Sequence, residues 1–270
     1  MHDAVFSAAY HYPAKDIAPF VSSLRSVFDG FIFLIITGKQ KEDFFDLAKS
    51  NQVNLVISEV AQGQMPHTNR YFDYRSILRS QHKKIKRIFL ADSRDIIFQK
   101  SPFSDKDGCL QLFAEPFRIG DCVVNSRWIK RYYEEEFLNQ IKHELIICSG
   151  TTLGSVEWMD RYLGAMCDQI GKFISDGRKM DIGDDQAFHN YLYYSGQLSG
   201  ALLGLQGYSE VQTLHYEKRF NFDRSCRLLN RDGSIVPVIH QYDRFPQFFP
   251  LFNTMLANLS QNSKSNSLMV

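Results

Sequence analysis

Apolar residues along this chain switch repeatedly between two spacings. Short, β-branched or aromatic runs at residues 4–9, 31–36 and 53–57 have the length and content of strands. Between them, Ile17, Phe20, Val21, Leu24 and Phe28 recur at the three-and-four spacing of a helix with one buried face, and residues 42–50 read as a second helix. A third helix is predicted over 70–80, with Phe72, Ile77 and Leu78 as its apolar positions, and a fourth strand over 87–91. Strand and helix thus alternate through residue 91. That order predicts right-handed crossovers and an α/β sandwich around a mixed, mainly parallel sheet.

The second half is less regular. Strands are predicted at 109–114, 145–148, 212–214 and 236–239, and helices at 128–140, 155–171 and 185–194. No repeat and no proline-rich linker divides the chain. One domain over 1–259 is therefore expected, with halves at about 1–103 and 104–259. The polar, low-complexity residues 260–270 predict a disordered tail.

Charge and cysteine content remove several function classes. Lys and Arg number 31 against 30 Asp and Glu, a formal net charge of +1, which argues against a polyanion-binding surface and against nucleic acid as a partner. The basic stretch at 81–87 precedes an apolar run and reads as a solvated loop. Five scattered cysteines without a Cys-x-x-Cys spacing suggest reduced thiols rather than a zinc site. The N-terminus lacks the charged-then-apolar pattern of a secretory signal, and the longest aliphatic run, 31–36, is too short for a membrane span. A cytoplasmic protein is expected. Peripheral attachment to the inner face of a membrane is compatible with Phe245, Phe248, Phe249 and Phe252, which otherwise read as core or lid residues.

The most informative segment is 87–103, where an apolar run ends in Asp92 and Asp95 and then turns apolar again. A run that is apolar on both faces predicts a buried parallel strand, and ligands of such sheets lie beyond the strands' carboxyl ends. Two neighbouring carboxylates in a dry site call for a cation, either a metal ion or an arginine such as Arg94. The plainer alternative is that both aspartates cap the following turn. Four other segments carry candidate chemistry. Ala8-Ala-Tyr-His-Tyr-Pro13 follows the first strand, where small residues let a flat base approach and Tyr10 or Tyr12 can stack on it. Cys148-Ser-Gly-Thr-Thr-Leu-Gly154 reads as a strand-to-helix loop offering amides and hydroxyls. Asp181-Ile-Gly-Asp-Asp-Gln186 precedes a helix, and Asp184 there is also a natural N-cap. His240 ends an apolar strand, where imidazole can complete an oxygen-rich ion site or simply be hydrogen-bonded.

Jointly these segments resemble the GT-A class of nucleotide-sugar glycosyltransferases, especially the glycogenin-like and related galactosyl- and xylosyltransferase families, over roughly residues 4–245. Asp95-Ile-Ile-Phe-Gln-Lys-Ser-Pro-Phe103 is similar to the stretch that follows their Asp-x-Asp motif. Residues 147–154 resemble their Asn-Ser-Gly or Asn-Ala-Gly segment, 183–190 their Asp-Gln-x-x-x-Asn segment, and Val238-Ile-His240 their terminal histidine strand. The resemblance implies Mn²⁺ or Mg²⁺ held by Asp92, Asp95 and His240. It implies a nucleotide-sugar donor, UDP-linked in the favoured case, contacted by Ala9, Tyr10, Arg70, Tyr74, Arg75, Ser93, Arg94, Ser149, Gly150 and Thr151. Asp184 or Asp185 would meet the sugar hydroxyls or the reacting centre, and the acceptor would be a glycan or glycolipid, as in cell-surface polysaccharide synthesis. The acids are spaced Asp-x-x-Asp here, with Ser93 in place of the first aspartate. That departure leaves two outcomes, Asp92 reaching the ion through a different turn or Asp95 ligating it alone with less dependence on metal. Two other readings remain: a nucleotidyltransferase, although 8–13 lacks a glycine-rich basic loop, and a glycan-binding protein on a degenerate transferase fold.

Overall fold

The computed structural model describes residues 1–58, 65–104 and 108–267. The first half alternates as the apolar spacing predicts: β1 (His2–Ala8), α1 (Ala14–Val27), β2 (Phe31–Ile36), α2 (Phe45–Ser50), β3 (Val53–Ile57), α3 (Pro66–Gln81) and β4 (Ile85–Ala91). Then follow β5 (Ile96–Phe98), β6 (Leu110–Arg118), α4 (Val123–Tyr132), α5 (Glu135–Ile141), β7 (Leu145–Ser155), α6 (Val156–Ser175) and α7 (Asp184–Tyr194). Short strands β8 (Leu202–Gly204), β9 (Val211–Thr213), β10 (Asn221–Phe222), β11 (Leu228–Leu229) and β12 (Val238–His240) lead to α8 (Phe249–Ser267).

A seven-stranded sheet in the order β3-β2-β1-β4-β7-β6-β8 forms the centre of this Rossmann-like α/β arrangement. The four strands β3, β2, β1 and β4 are mutually parallel, while β7 runs antiparallel to both β4 and β6. Alternation along the parallel strands explains why they read as continuous apolar runs. Ala4, Phe6, Ile35, Ile88 and Leu90 pack with α3 and α6 on one face, and Val5, Ile32, Leu34, Phe89 and Ala91 with α1 on the other. The strand order reverses between β1 and β4, since β2 and β3 lie on one side of β1 and β4 on the other. Ligands of open α/β sheets bind at such a switch point, outside the carboxyl ends of the strands.

A second sheet, β5-β12-β9, carries the later strands to the same place. His240 pairs with Ile96 on one side and Thr213 on the other, and Gln241 donates its amide to the Asp95 carbonyl at 2.7 Å. This register sets the imidazole beside Asp95. No sequence spacing announces it, because the pairing joins residues far apart in the chain.

Three expectations are corrected. Residues 148–154 are not a loop before a helix: β7 continues through them to Ser155, paired with β4 from Thr151 onward. Leu112 faces Thr152 and Phe113 faces Cys148, so Ser149, Gly150 and Thr151 bulge out of the β6 ladder. The single helix predicted over 128–140 is two, because Tyr133 and Glu134 are extended and the Tyr133 ring stacks on Tyr191 at 3.7 Å. Finally, α8 runs to Ser267 where polarity predicted disorder from 260. Phe252 and Met255 are buried at its start and anchor its first turns. Residues 268–270 of that predicted tail lie outside the described residues.

Candidate functional site

A cavity of about 500 Å³ opens at the switch point, within the size range of small-ligand sites. Ala8 and Tyr10 reach it from the end of β1, Asp92, Ser93, Arg94 and Asp95 from the end of β4, and Arg70 from α3. The turn after β4 is tied to β1 by Ser93 Oγ, which donates to the Ala8 carbonyl at 2.8 Å, and to β7 by the Asp92 amide, which donates to the Gly150 carbonyl at 2.8 Å. These ties orient both aspartates inward.

Asp92 Oδ2 lies 3.4 Å from His240 Nε2, and Asp95 Oδ1 lies 3.7 Å from the same nitrogen. One ligand atom from each of the three residues falls within 4.8 Å of the others, so the group can hold a metal ion. His240 is 1 % exposed, and among the described residues its Nε2 makes no hydrogen bond of good geometry although two carboxylates lie within 3.7 Å of it. Among the described residues, Asp92, Asp95 and Asp185 gather around the Arg70 guanidinium and the His240 imidazole, whose pKa its neighbours raise well above the ordinary value against its own burial, so this acidic cluster favours positive charge, a proton on His240 or a metal ion. The donor set, two carboxylate oxygens and one imidazole nitrogen, suits several divalent ions.

Gly150 explains how the three groups come so close. A methyl group at this position would lie 2.6 Å from Asp92 Oδ2 and 2.6 Å from His240 Cε1. Only a residue without Cβ leaves both side chains in place.

Arg70 donates to Asp92 Oδ1, to Asp185 Oδ2 at 2.7 Å and to the Ser149 carbonyl at 3.2 Å. The Tyr71 hydroxyl adds a second donor to Asp185 at 3.3 Å. Burial pushes the Asp92 carboxyl up, but Arg70 and then His240 outweigh it and hold the group below its ordinary range. For Asp95 burial prevails and its pKa is raised. Behind the site, burial pushes the Glu115 carboxyl up to about 7.

The cavity gathers some predicted residues and not others. Tyr10, Arg70, Ser93, Arg94, Ser149 and Asp185 line it together with Asp92 and Asp95. Arg94 pairs with Asp243 at 2.8 Å and lies over the Tyr12 ring. Ala9 is corrected to Ala8: Ala9 is fully buried, its amide donating to Ile35 and its carbonyl accepting from Gln40. Tyr74 is a core residue packed on Phe6 and Tyr71, and Arg75 points from α3 toward Asp168 at 4.0 Å. Thr151 is fully buried in β7, opposite Ala91, and Gly150 acts by making room rather than by touching the cavity. Asp184 faces away from the cavity, where it accepts from the Tyr132 hydroxyl and the Asp181 amide.

Sequence reasoning missed Trp128, Gln186 and Arg244, which also line the cavity. Gln186 stood within the acidic segment and was detectable there. Trp128 was not, because its role depends on Gly183, whose φ of 85° and missing Cβ admit the indole ring at the start of α7. No protein-family model matches this chain, and a search of curated proteins finds no significant relative. Among the described residues, no helix is long and apolar enough to cross a membrane.

Proposed function

We propose that this chain is a GT-A glycosyltransferase that moves a sugar from a nucleotide diphosphate donor, UDP-linked in the favoured case, to a hydroxyl of a glycan or glycolipid. The observation that carries this reading is the meeting of Asp92, Asp95 and the unpartnered Nε2 of His240 at the switch point of the sheet. Residues far apart in the sequence converge there, as the family resemblance implies. A bound Mn²⁺ or Mg²⁺ would supply Lewis-acid stabilisation of the charge that develops on the departing diphosphate.

The chain's own residues do the rest. The Tyr10 hydroxyl donates to Asp73, which also accepts from Ser58 Oγ at 2.7 Å, so the ring is held before a base arrives to stack on it. Arg94, at the rim of the cavity, is suited to the donor's phosphates. Asp185 is held by Arg70 and Tyr71 with its carboxylate on the cavity, where it can accept from sugar hydroxyls and favour oxocarbenium charge at the transferred carbon. Both acids of the Asp-x-x-Asp spacing lie within reach of His240, which supports the reading in which the altered turn lets Asp92 as well as Asp95 serve the ion. A nucleotidyltransferase fits less well, because the segment after β1 carries neither a glycine nor a basic side chain before Lys15.

The test is thermal denaturation with UDP-, GDP-, CMP- and dTDP-sugars, each with Mn²⁺ or EDTA. A donor at one hundred times its Kd adds about 2.7 kcal/mol of stability. For a chain of this size that raises Tm by roughly 5 °C or more. Stabilisation by one nucleotide family that requires Mn²⁺ is expected. No shift with any donor would overturn the enzyme reading in favour of a degenerate, non-catalytic fold.

A further inference from the structure

We propose that Thr213 and Cys148 form a buried positioning chain that fixes the ring and tautomer of His240, directing its Nε2 at the place a divalent cation would take. The inference rests on the metal reading of the site and extends it to residues that never touch the ion.

The three residues come from three strands: His240 from β12, Thr213 from β9 and Cys148 from β7. All are at most 2 % exposed. His240 Nδ1 lies 3.3 Å from Thr213 Oγ1 and 3.5 Å from Cys148 Sγ, within reach of hydrogen bonds to oxygen and sulfur. A neutral imidazole has one donor and one acceptor nitrogen, and the partner of one decides the role of the other.

A cation bound by Asp92, Asp95 and His240 needs the Nε2 lone pair, which places the remaining ring proton on Nδ1, where the Thr213 hydroxyl and the Cys148 sulfur can both accept it. In the absence of a cation the same two carboxylates favour a proton on Nε2, so metal binding at this site displaces that proton. The parallel pairing of β12 with β9 places His240 directly opposite Thr213, so the hydroxyl is delivered by the sheet register rather than by a flexible loop. Outer-shell partners of this kind hold metal ligands in orientation, and their loss costs about 10–100-fold in metal affinity.

The experiment is Mn²⁺ titration of the full chain, with free ion read by electron paramagnetic resonance, alongside Tm measured without metal. The variants are Thr213→Val, Thr213→Ser, Cys148→Val and Cys148→Ser. Both valine variants should bind Mn²⁺ about 10–100-fold more weakly with little change in metal-free Tm, and both serine variants, which restore a polar group, should recover most of the affinity. Wild-type binding with unchanged affinity in the valine variants would overturn the positioning chain and leave the metal reading standing. Equal losses in the serine and valine variants, accompanied by a lower metal-free Tm, would reduce these residues to a packing role. Absence of Mn²⁺ binding by the wild-type chain would overturn the metal reading and this inference with it.

Discussion

Replacing Gly150 with alanine should disable the ion site while leaving the fold intact. The added methyl would lie 2.6 Å from Asp92 Oδ2 and 2.6 Å from His240 Cε1, whereas ordinary van der Waals contact begins at 3.4 Å. Both groups must therefore move relative to the methyl by roughly 0.8 Å, several times the tolerance of about 0.2 Å on a metal–ligand distance. Asp92, whose side chain is 31 % exposed, can swing toward the cavity mouth, whereas His240 is walled in by β9 and β7, so its clash is relieved only by a shift of the ring or of the β7 backbone. The folding cost should therefore fall in the usual range for overpacking, about 1–3 kcal/mol. Mn²⁺ affinity should fall at least tenfold, about 1.4 kcal/mol, since one of three protein ligands leaves its position. Calorimetric Mn²⁺ titration gives the first quantity and urea denaturation the second. Gly171→Ala is the control: it lies in α6 with nothing within 4 Å of the added methyl, so it should gain about 0.5–1 kcal/mol from helix propensity and leave Mn²⁺ binding unchanged. Gly150→Ala with wild-type Mn²⁺ affinity would refute the reasoning.

Three further predictions concern individual carboxylates and one buried imidazole. Asp95→Asn should reduce sugar transfer at least 100-fold with an unchanged circular dichroism spectrum; turnover within threefold of wild type would remove Asp95 from the site. Asp184→Asn and Asp185→Asn should separate structure from function: the first loses a buried charged acceptor of Tyr132 and should cost about 1–3 kcal/mol of stability with kcat near wild type, while the second should lose turnover. Equal effects in both assays would contradict the assignment of these neighbours to opposite roles. His189 is fully buried against Tyr162, and burial lowers its pKa to about 3 from 6.5. The unfolded chain therefore binds the proton more readily, so this contribution to stability is intact above pH 6.5 and is lost as pH falls below it, by about 2 kcal/mol at pH 5. His189→Gln should flatten the urea-denaturation stability profile between pH 6.5 and 5; an unchanged slope would place the acid sensitivity elsewhere.

The apolar spacing of residues 1–91 was enough to read the order of strands and helices, because burial on both sheet faces forces continuous apolar runs and burial on one helix face forces a three-and-four spacing. The same logic located Asp92 and Asp95, since charge at the end of an apolar strand contrasts sharply with what precedes it. Residues 148–154 misled for a local reason: glycine, serine and threonine are turn formers in isolation, and only the β4 and β6 neighbours hold them in a strand. Arg75, five residues after Arg70, points from another face of α3 toward Asp168, Tyr74, one turn after Arg70, is spent on packing against Phe6 and Tyr71, and Asp184 and Asp185 diverge at the start of α7. By itself, then, the sequence determined the elements, their alternation and which types of side chain stand at strand ends. The tertiary structure alone decided that His240 meets Asp92 and Asp95, that Gly150 makes the space for them, and that Thr213 and Cys148 stand behind the imidazole. Periodicity is a property of neighbours along the chain, whereas these contacts depend on strand register between segments distant in the chain, such as Cys148 and His240, 92 residues apart, which no local spacing encodes.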